Sequence, residues 1–500
     1  MTKRKRRYIS IALTLVALAL AVAAATLFSG RQHKQVAMLR DISGAVVGVQ
    51  LGTTADLQVT PLEHDGSQTR VERYTKTADA VQALLQGKAD CVVVDEQPAR
   101  AFCAQNPSLR ILPETYSEDS YALCMAPSRV GLQQQVNEAL DSLRRSGLLD
   151  TIVRRHIDDG LAVAYKPQGG HNRTLVVATN ATFRPYEYYE QGQIVGIDID
   201  IVRAVADLLD MNVRVEDMEF DAVITSVQTG KADIGAAGLT VTPERQRNAA
   251  FSIPYATTRN VVLVADQTAA AGAGQSLADR FQANFIDGAR YAYLLQGLGN
   301  TVLITLVAML ISLVLGTLIA VVRSTHDTTG QLVIPNLLCR AFLMVIRGTP
   351  TMVQLLIIYY VVFASADVSK VVVAIVAFGI NSSAYLAEVV RAGIMAVDKG
   401  QAEAGRSLGL THTQTLRLIV LPQAFRNVLP AMGNELITLL KETSICGYIG
   451  LTDLTKGSDI IRSITYDALM PLGLTALIYF ALVAALACGV ARIEKRLCRQ

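Results

Sequence analysis

The apolar residues of this chain are spread unevenly, and that constrains its fold more than any other feature. Five runs long enough to cross a bilayer crowd its C-terminal part, at about Leu298 to Val322, Phe342 to Ala364, Val371 to Val390, Val428 to Ile449 and Leu469 to Ala491. From Arg31 to about Asp266 nothing is long and apolar enough to span. Another apolar run, Ile9 to Phe28, follows the basic cluster Lys3 to Arg7; it puts the N-terminus in the cytoplasm and exports what comes next. The small residues Ala21 and Ala23 to Ala25 suit cleavage, so residues 1–30 read either as a signal peptide or as a retained anchor. Five spans after an exported part leave the C-terminus inside. The positive-inside rule agrees, because Arg323, Arg340, Arg391, Lys399, Arg406, Arg417, Arg492, Lys495 and Arg496 then all face the cytoplasm.

Five hundred residues suggest three units rather than one core. A net charge of +3, with no basic stripe, gives no case for nucleic acid. No CxxC or His-Cys spacing suggests a metal site. Cys91, Cys103 and Cys124 share one soluble stretch, where at most one disulfide is possible and buried small apolar side chains are the plainer reading.

Asp398 to Pro422 is polar between apolar flanks. Asp398 with Gln401 forms a capping-box pattern, Arg406 suits a last helical turn, and Gly409 is placed to end that helix. Thr411 with Gln414 repeats the capping pattern, and Leu416, Ile419 and Val420 give the next helix an apolar stripe. The product is a helix-turn-helix elbow, which local physics alone would leave as an ordinary cytosolic loop. Glu403-Ala404-Gly405, then Gly409, then Ile419 and Leu421-Pro422 resemble the EAA loop of ABC-importer permease subunits, with Gly405 standing where that family usually has a second Ala. The resemblance implies a coupling helix that docks on an ATP-hydrolysing partner, with Glu403, Ala404, Gly409, Leu421 and Pro422 shaping it. It extends to the polar-amino-acid uptake branch through GLGNT (297–301), RGTP (347–350), AYLAEVVR (384–391), PQA (422–424) and KETS (441–444). Glu388, Glu435, Lys441 and Glu442 are costly at membrane depth unless they face protein or a water-filled path; several would otherwise sit at interfaces or in the cytosol.

Between Leu175 and Asp266, strand-like runs alternate with helical periods, as in an open α/β lobe. The segments LVVAT, GQIVGIDIDIVRAVADLL, FDAVITSVQTGKADIGAAGLTVTPERQ and FSIPY resemble the first lobe of a family 3 periplasmic solute-binding protein. The second lobe of that family is resembled by residues that come earlier: LRDISGAVVGVQLGTT (39–54), QGKADCVVVD (86–95), Tyr121 to Leu123 and LQQQVNEALDSLRRSGLLDTIVRRHI (132–157). This order implies a circular permutation joined through Asp159 to Arg173, which is physically cheap when domain termini lie close together; two half-domains pairing between protomers are the rival. The expected division is therefore a leader (1–30), a second-lobe-like half (31–166), a first-lobe-like half (167–266), a linker (267–286) and an all-α permease part of five helices (287–500) with its elbow at 398–422.

For a zwitterionic amino acid the resemblance implies that Arg245 offers a two-pronged guanidinium to the carboxylate, with Thr240 and the backbone near Gly238 adding hydrogen bonds. Asp95 would accept from the ammonium, helped by Thr54, and Phe183 and Phe220 would wall the aliphatic part. Otherwise Arg245 would be a helix-terminal surface residue, Asp95 a helix N-cap, and the two phenylalanines core packing. Asn180 stands where family members taking cationic ligands tend to carry an acid, and Gln50 is also uncharged, which favours a neutral polar ligand such as glutamine. Arg245 and Asp95 belong to different lobes, so a ligand gripping both would close the cleft.

The function this implies is amino-acid import across the cytoplasmic membrane, by a binding domain fused to its permease. With no GxxxxGK[ST] loop, ATP hydrolysis belongs to a separate ATP-binding subunit, and the chain needs no cofactor or metal of its own. One permease half per chain implies a homodimer. A ligand-gated channel of the glutamate-receptor type shares the binding fold, but here the spans follow the domain rather than interrupt it, and no TVGYG-like filter occurs. An enzyme is the third class, without a Ser-His-Asp, Cys-His or metal constellation to support it.

Overall fold

A computed structural model describes residues 34–169, 172–266, 276–364 and 368–497. The expected leader lies outside them, as do residues 267–275 of the expected linker. The part of the linker that is described is helical, with Ser276 capping Leu277–Phe281.

The exported part contains two five-stranded sheets. One has the order Arg70–Tyr74, Val46–Gln50, Cys91–Asp95, Ala256–Ala265, Leu109–Tyr121; the other has Met211–Asp217, Arg173–Thr179, Ile234–Gly235, Cys124–Met125, Ala250–Phe251. We call their lobes upstream and downstream. In the upstream lobe, Val46–Gln50 pairs in parallel with both Arg70–Tyr74 and Cys91–Asp95. Helices cover such strands on both faces, which is why CVVVD is a continuous apolar run, buried from Cys91 to Val94. Burial pushes the thiols of Cys91 and Cys124 up to about 12, as for inert small core side chains.

The lobes do not divide at residue 166. Leu109–Tyr121 lies in the upstream sheet and continues into Cys124–Met125 of the downstream one; Ala250–Phe251 of the downstream sheet continues into Ala256–Ala265 of the upstream one. The two crossings run antiparallel, with Tyr121 opposite Ala256, and form a double-stranded hinge. Helices Val130–Arg145 and Leu148–Ile157 likewise leave their own half: Val136, Leu140 and Ile152 share a core with Leu175, Val177, Ile197 and Ile201 of the downstream lobe. Both halves thus pack against each other within this chain.

The join is fastened rather than loose. Fully buried Asp200 accepts from the N–H groups of Ala164 (2.6 Å) and Tyr165 (3.0 Å) and faces Nε2 of His156 at 3.0 Å. Asp207 accepts from the Tyr165 hydroxyl (2.7 Å) and the Gln168 N–H (2.8 Å). Two carboxylates of helix Ile197–Leu208 thus hold the segment that replaces the old chain ends.

In the membrane part, three described helices are long and apolar enough to span: Tyr291–Thr329, Lys370–Met395 and Leu469–Glu494. The run expected as one span from Phe342 to Ala364 is broken. Val333–Gly348 and Thr351–Val362 meet at 108°, because Thr349 precedes Pro350 and is forced to extended backbone (φ −120°, ψ 144°). The fourth expected run is shifted: helix Leu421–Glu442 carries Arg426, Asn427, Pro430, Asn434 and Glu435, and a tighter 3-10 turn replaces it from Thr443 to Ile449. Its polarity takes it below the apolarity of a free-standing span, so the described residues give three spans, or four counting the bent pair. Small residues let the helices approach closely; a methyl group on Gly393 would stand 2.1 Å from Val428 Cγ1.

Candidate functional site

The cleft between the lobes gathers Asn180, Phe183, Phe220, Gly238, Thr240 and Arg245 from the downstream segments with Thr54 and Asp95 from the upstream ones, around about 480 Å³ of space including its mouth. Every residue predicted from sequence to touch an amino acid lines this one cavity, with Gln50 beside them.

Arg245 rides on the short helix Pro243–Gln246, started by Pro243 and capped by Thr242, whose hydroxyl accepts from the Arg245 N–H at 3.2 Å. Its side chain is turned inward, leaving Arg245 8% exposed, so it is no surface arginine. Nη1 donates to the Thr240 carbonyl (2.8 Å) and Nη2 to the Gly52 carbonyl of the upstream lobe (2.9 Å), and the guanidinium lies 5.5 Å from the Phe220 ring centre. Burial pulls its pKa down, against the pull of Cys124 and the carboxylates of Asp119 and Asp95. Asp95 ends its strand and precedes helix Glu96–Gln105, yet its side chain makes no capping bond there. It accepts instead from the Tyr121 hydroxyl on the hinge. Burial raises its pKa to about 7, opposed by that hydrogen bond and assisted by nearby Asp119. The cleft thus sets a cation that cannot lose its charge opposite an acid poised near neutrality.

The other predicted residues are already engaged in part. The Thr54 hydroxyl donates to Asp119 (2.6 Å). Asn180 spends its amide on the Met218 carbonyl (2.8 Å) and its oxygen on the Thr182 hydroxyl (2.8 Å). Gly238 needs its glycine: φ is +54°, and a Cβ would meet Phe183 at 3.0 Å. Phe183 also stacks on Tyr186 at 5.6 Å, so it serves core and cleft together.

Sequence reasoning missed Thr77, whose hydroxyl donates to Gln50 Oε1 (2.7 Å), and Glu187. Glu187 is 1% exposed beside fully buried Asp198, which accepts from Gly238 N–H (2.9 Å) and the Tyr255 hydroxyl (2.6 Å). Burial first, and then each other's charge, hold Glu187 well above the carboxylate range. In PYEYYE nothing but an acid inside an aromatic strand signals it.

The elbow folds from its own sequence. Helix Lys399–Ser407 is capped by Asp398, which accepts from Gly400 N–H (2.7 Å). Gln401 does not complete a capping box; it faces Gln423 at 3.3 Å. Gly409 takes φ +82° and ends the helix. Thr411 and Gln414 form the reciprocal box: Thr411 N–H donates to Gln414 Oε1 (2.9 Å) and Gln414 N–H to Thr411 Oγ1 (3.3 Å). Pro422 opens the long helix Leu421–Glu442 instead of closing the one before it. Gly405 is buried where a Cβ would stand 2.8 Å from both Ile419 and Thr415, so the two arms of the elbow touch through it. Glu403 and Ala404 are exposed; Leu421 packs against the membrane helices. Deeper in, Glu388 pairs with Arg323 and Arg391, and Glu435 accepts from the Ser382 hydroxyl (2.6 Å).

Residues 175–460 match the family described as bacterial extracellular solute-binding proteins, family 3. Over 207 residues the chain is 37% identical to the arginine transport system permease protein of Bacillus subtilis, covering 41% of this chain and 92% of that one. It is 34% identical over 207 residues to the glutamine transport system permease protein of Escherichia coli, covering 41% and 92%. Among solved structures, an amino acid ABC transporter with histidines matches at 39% identity over 42% of this chain and 98% of that one, with a TM-score of 0.38.

Proposed function

The chain belongs to the family 3 bacterial extracellular solute-binding proteins and to the amino-acid ABC transporter permeases, and from that premise we propose that it is the fused binding and permease subunit of an ATP-driven importer of a polar amino acid. The observation that carries this reading is the cleft, in which Arg245 and Asp95 face one cavity from opposite lobes. Arg245 takes the ligand carboxylate with Thr240 and the backbone at Gly238, Asp95 takes the ammonium with Thr54, and Phe183, Phe220 and Asn180 shape the side-chain end. Contact with both charges stabilises the closed cleft by its differential affinity.

Glutamine is the first ligand to test. The permease part, with Leu421–Glu442 completing five helices, pairs with a second copy in the inner membrane. The elbow faces the cytoplasm, where Glu403, Ala404, Gly409, Leu421 and Pro422 seat a separate ATP-binding subunit that consumes the ATP. The chain itself holds no cofactor and catalyses no reaction. Vesicles carrying this chain and an ATP-binding subunit should accumulate the amino acid only with ATP inside; ion current on ligand addition without ATP would overturn the reading in favour of a channel.

A further inference from the structure

Helix Val333–Gly348, the first arm of the bent pair, packs on its neighbours along one row: Leu343 is buried with Ala384 and Ala387, and Phe342 and Ile346 flank it beside Ile319. Much of the rest is apolar and bare, with Ile334, Leu337, Leu338, Met344 and Val345 exposed. Two arginines stand among them. Arg340 and Arg347 are two helical turns apart, and Leu343 and Met344 fall between them at the three- and four-residue positions, so the four share one stripe. That stripe walls a cavity of about 650 Å³ including its mouth, which Arg323 of helix Tyr291–Thr329 and Glu388 of helix Lys370–Met395 also line.

The cavity sets three arginines against one acid, and that acid is committed. Glu388 pairs with Arg323 and, at 3.1 Å, with Arg391, which also lies 3.5 Å from Asp327. Arg340 and Arg347 form no ion pair among the described residues. The Arg347 guanidinium lies 5.6 Å from the Tyr385 ring centre, and Arg323 keeps a buried Nε without a hydrogen-bond partner. Guanidinium groups beside so much apolar surface are costly unless an anion meets them.

The chemistry of that anion follows from the donors. A guanidinium offers a planar fork that matches two phosphate oxygens. Basic pockets between membrane helices on the cytoplasmic side take anionic head groups. A soluble phosphate would use the forks alone, whereas a phospholipid would also cover the bare Leu337 and Met344 beside them.

We propose that Arg340 and Arg347, with Arg323, form a binding site for the phosphate group of an anionic phospholipid in the cytoplasmic leaflet, whose acyl chains lie on the exposed apolar residues of helix Val333–Gly348. The choice of leaflet rests on the membrane topology proposed above.

The test uses the full chain in detergent, stripped of lipid and titrated with phosphatidylglycerol, phosphatidylcholine or inorganic phosphate, with bound lipid counted by native mass spectrometry. The wild type should hold one phosphatidylglycerol at least about tenfold more tightly than phosphatidylcholine, the scale of two basic residues meeting an anionic head group. Inorganic phosphate in excess should not displace it. Arg340→Gln with Arg347→Gln should abolish the preference without lowering the melting temperature in lipid-free detergent. Arg340→Lys with Arg347→Lys keeps the charge, guards against a misfolded glutamine variant, and should lose part of the preference because lysine has no fork. No preference in the wild type, or an undiminished one in both double variants, would overturn the site. Displacement by inorganic phosphate would overturn the lipid in favour of a free anion. A wild-type dimer that the glutamine variant splits while still holding phosphatidylglycerol would overturn it in favour of a second copy of the chain. Import is read separately, by uptake, so the failure of either reading is recognisable on its own.

Discussion

The cleft and the elbow reach their form by opposite routes. The elbow is twenty-five consecutive residues whose caps and turn glycine lie within a few positions of one another. The cleft is assembled across the chain: the bond from Arg245 to the Gly52 carbonyl joins residues 193 apart in sequence. A local device can be altered by a local change, whereas a cleft built from two permuted lobes depends on their closing correctly. The two sites should therefore fail independently.

Truncating the ligand partners is the harshest test of that independence. Arg245→Ala and Asp95→Ala should each weaken amino-acid binding by at least about a hundredfold in calorimetry, since each removes one partner of a charge-assisted pair. The elbow and its Gly405 contact should be untouched. Glu403→Lys and Gly409→Asp make the opposite incision: ATP-driven uptake should fall about tenfold or more while binding outside stays as it was. Gly409 holds φ +82°, which costs a side-chain-bearing residue about 1–2 kcal/mol. Loss of binding in either variant would mean that the two sites are not separable.

Acidity sharpens the comparison, because the cleft holds an acid poised near neutrality. Burial lifts Asp95 to about 7, above its unfolded value, so below that pH it is neutral in the free cleft and must lose a proton to pair with an ammonium. Affinity should hold above pH 7 and fall by up to about tenfold per unit below it. Calorimetry in two buffers of different ionisation enthalpy should register proton release on binding at pH 6. A flat profile would remove Asp95 from the ammonium site. The smallest effect belongs to the join. Tyr165→Phe removes a hydroxyl bonded to Asp207 and should lower stability by about 1 kcal/mol in thermal unfolding, leaving ligand preference unchanged.

What sequence could reveal follows the same division. The elbow was legible almost residue by residue, because capping and left-handed glycine are local rules. Even so, Gln401 went to Gln423, and the fit of Gly405 against Thr415 and Ile419 depends on how the two arms cross. The residues of the cleft were legible only through the order of motifs. The exchange of strands between lobes was not, since the pairing of Tyr121 with Ala256 is set by the hinge and not by either segment alone. The break at Thr349-Pro350 had a readable cause, which the apolar run on both sides masked. Glu187 gave little signal, because a single buried acid in a strand acquires meaning only from what it touches.

Whether the cleft feeds the permease can be read from transport itself. Radiolabelled glutamine uptake should be measured in proteoliposomes containing this chain and an ATP-binding subunit, for the wild type and Arg245→Ala at equal incorporation. ATP-dependent accumulation is expected for the wild type and lost in Arg245→Ala at substrate concentrations near the wild-type Kd. Equal accumulation by both, for glutamine or any other amino acid the wild type takes up, would mean that the cleft does not feed the permease.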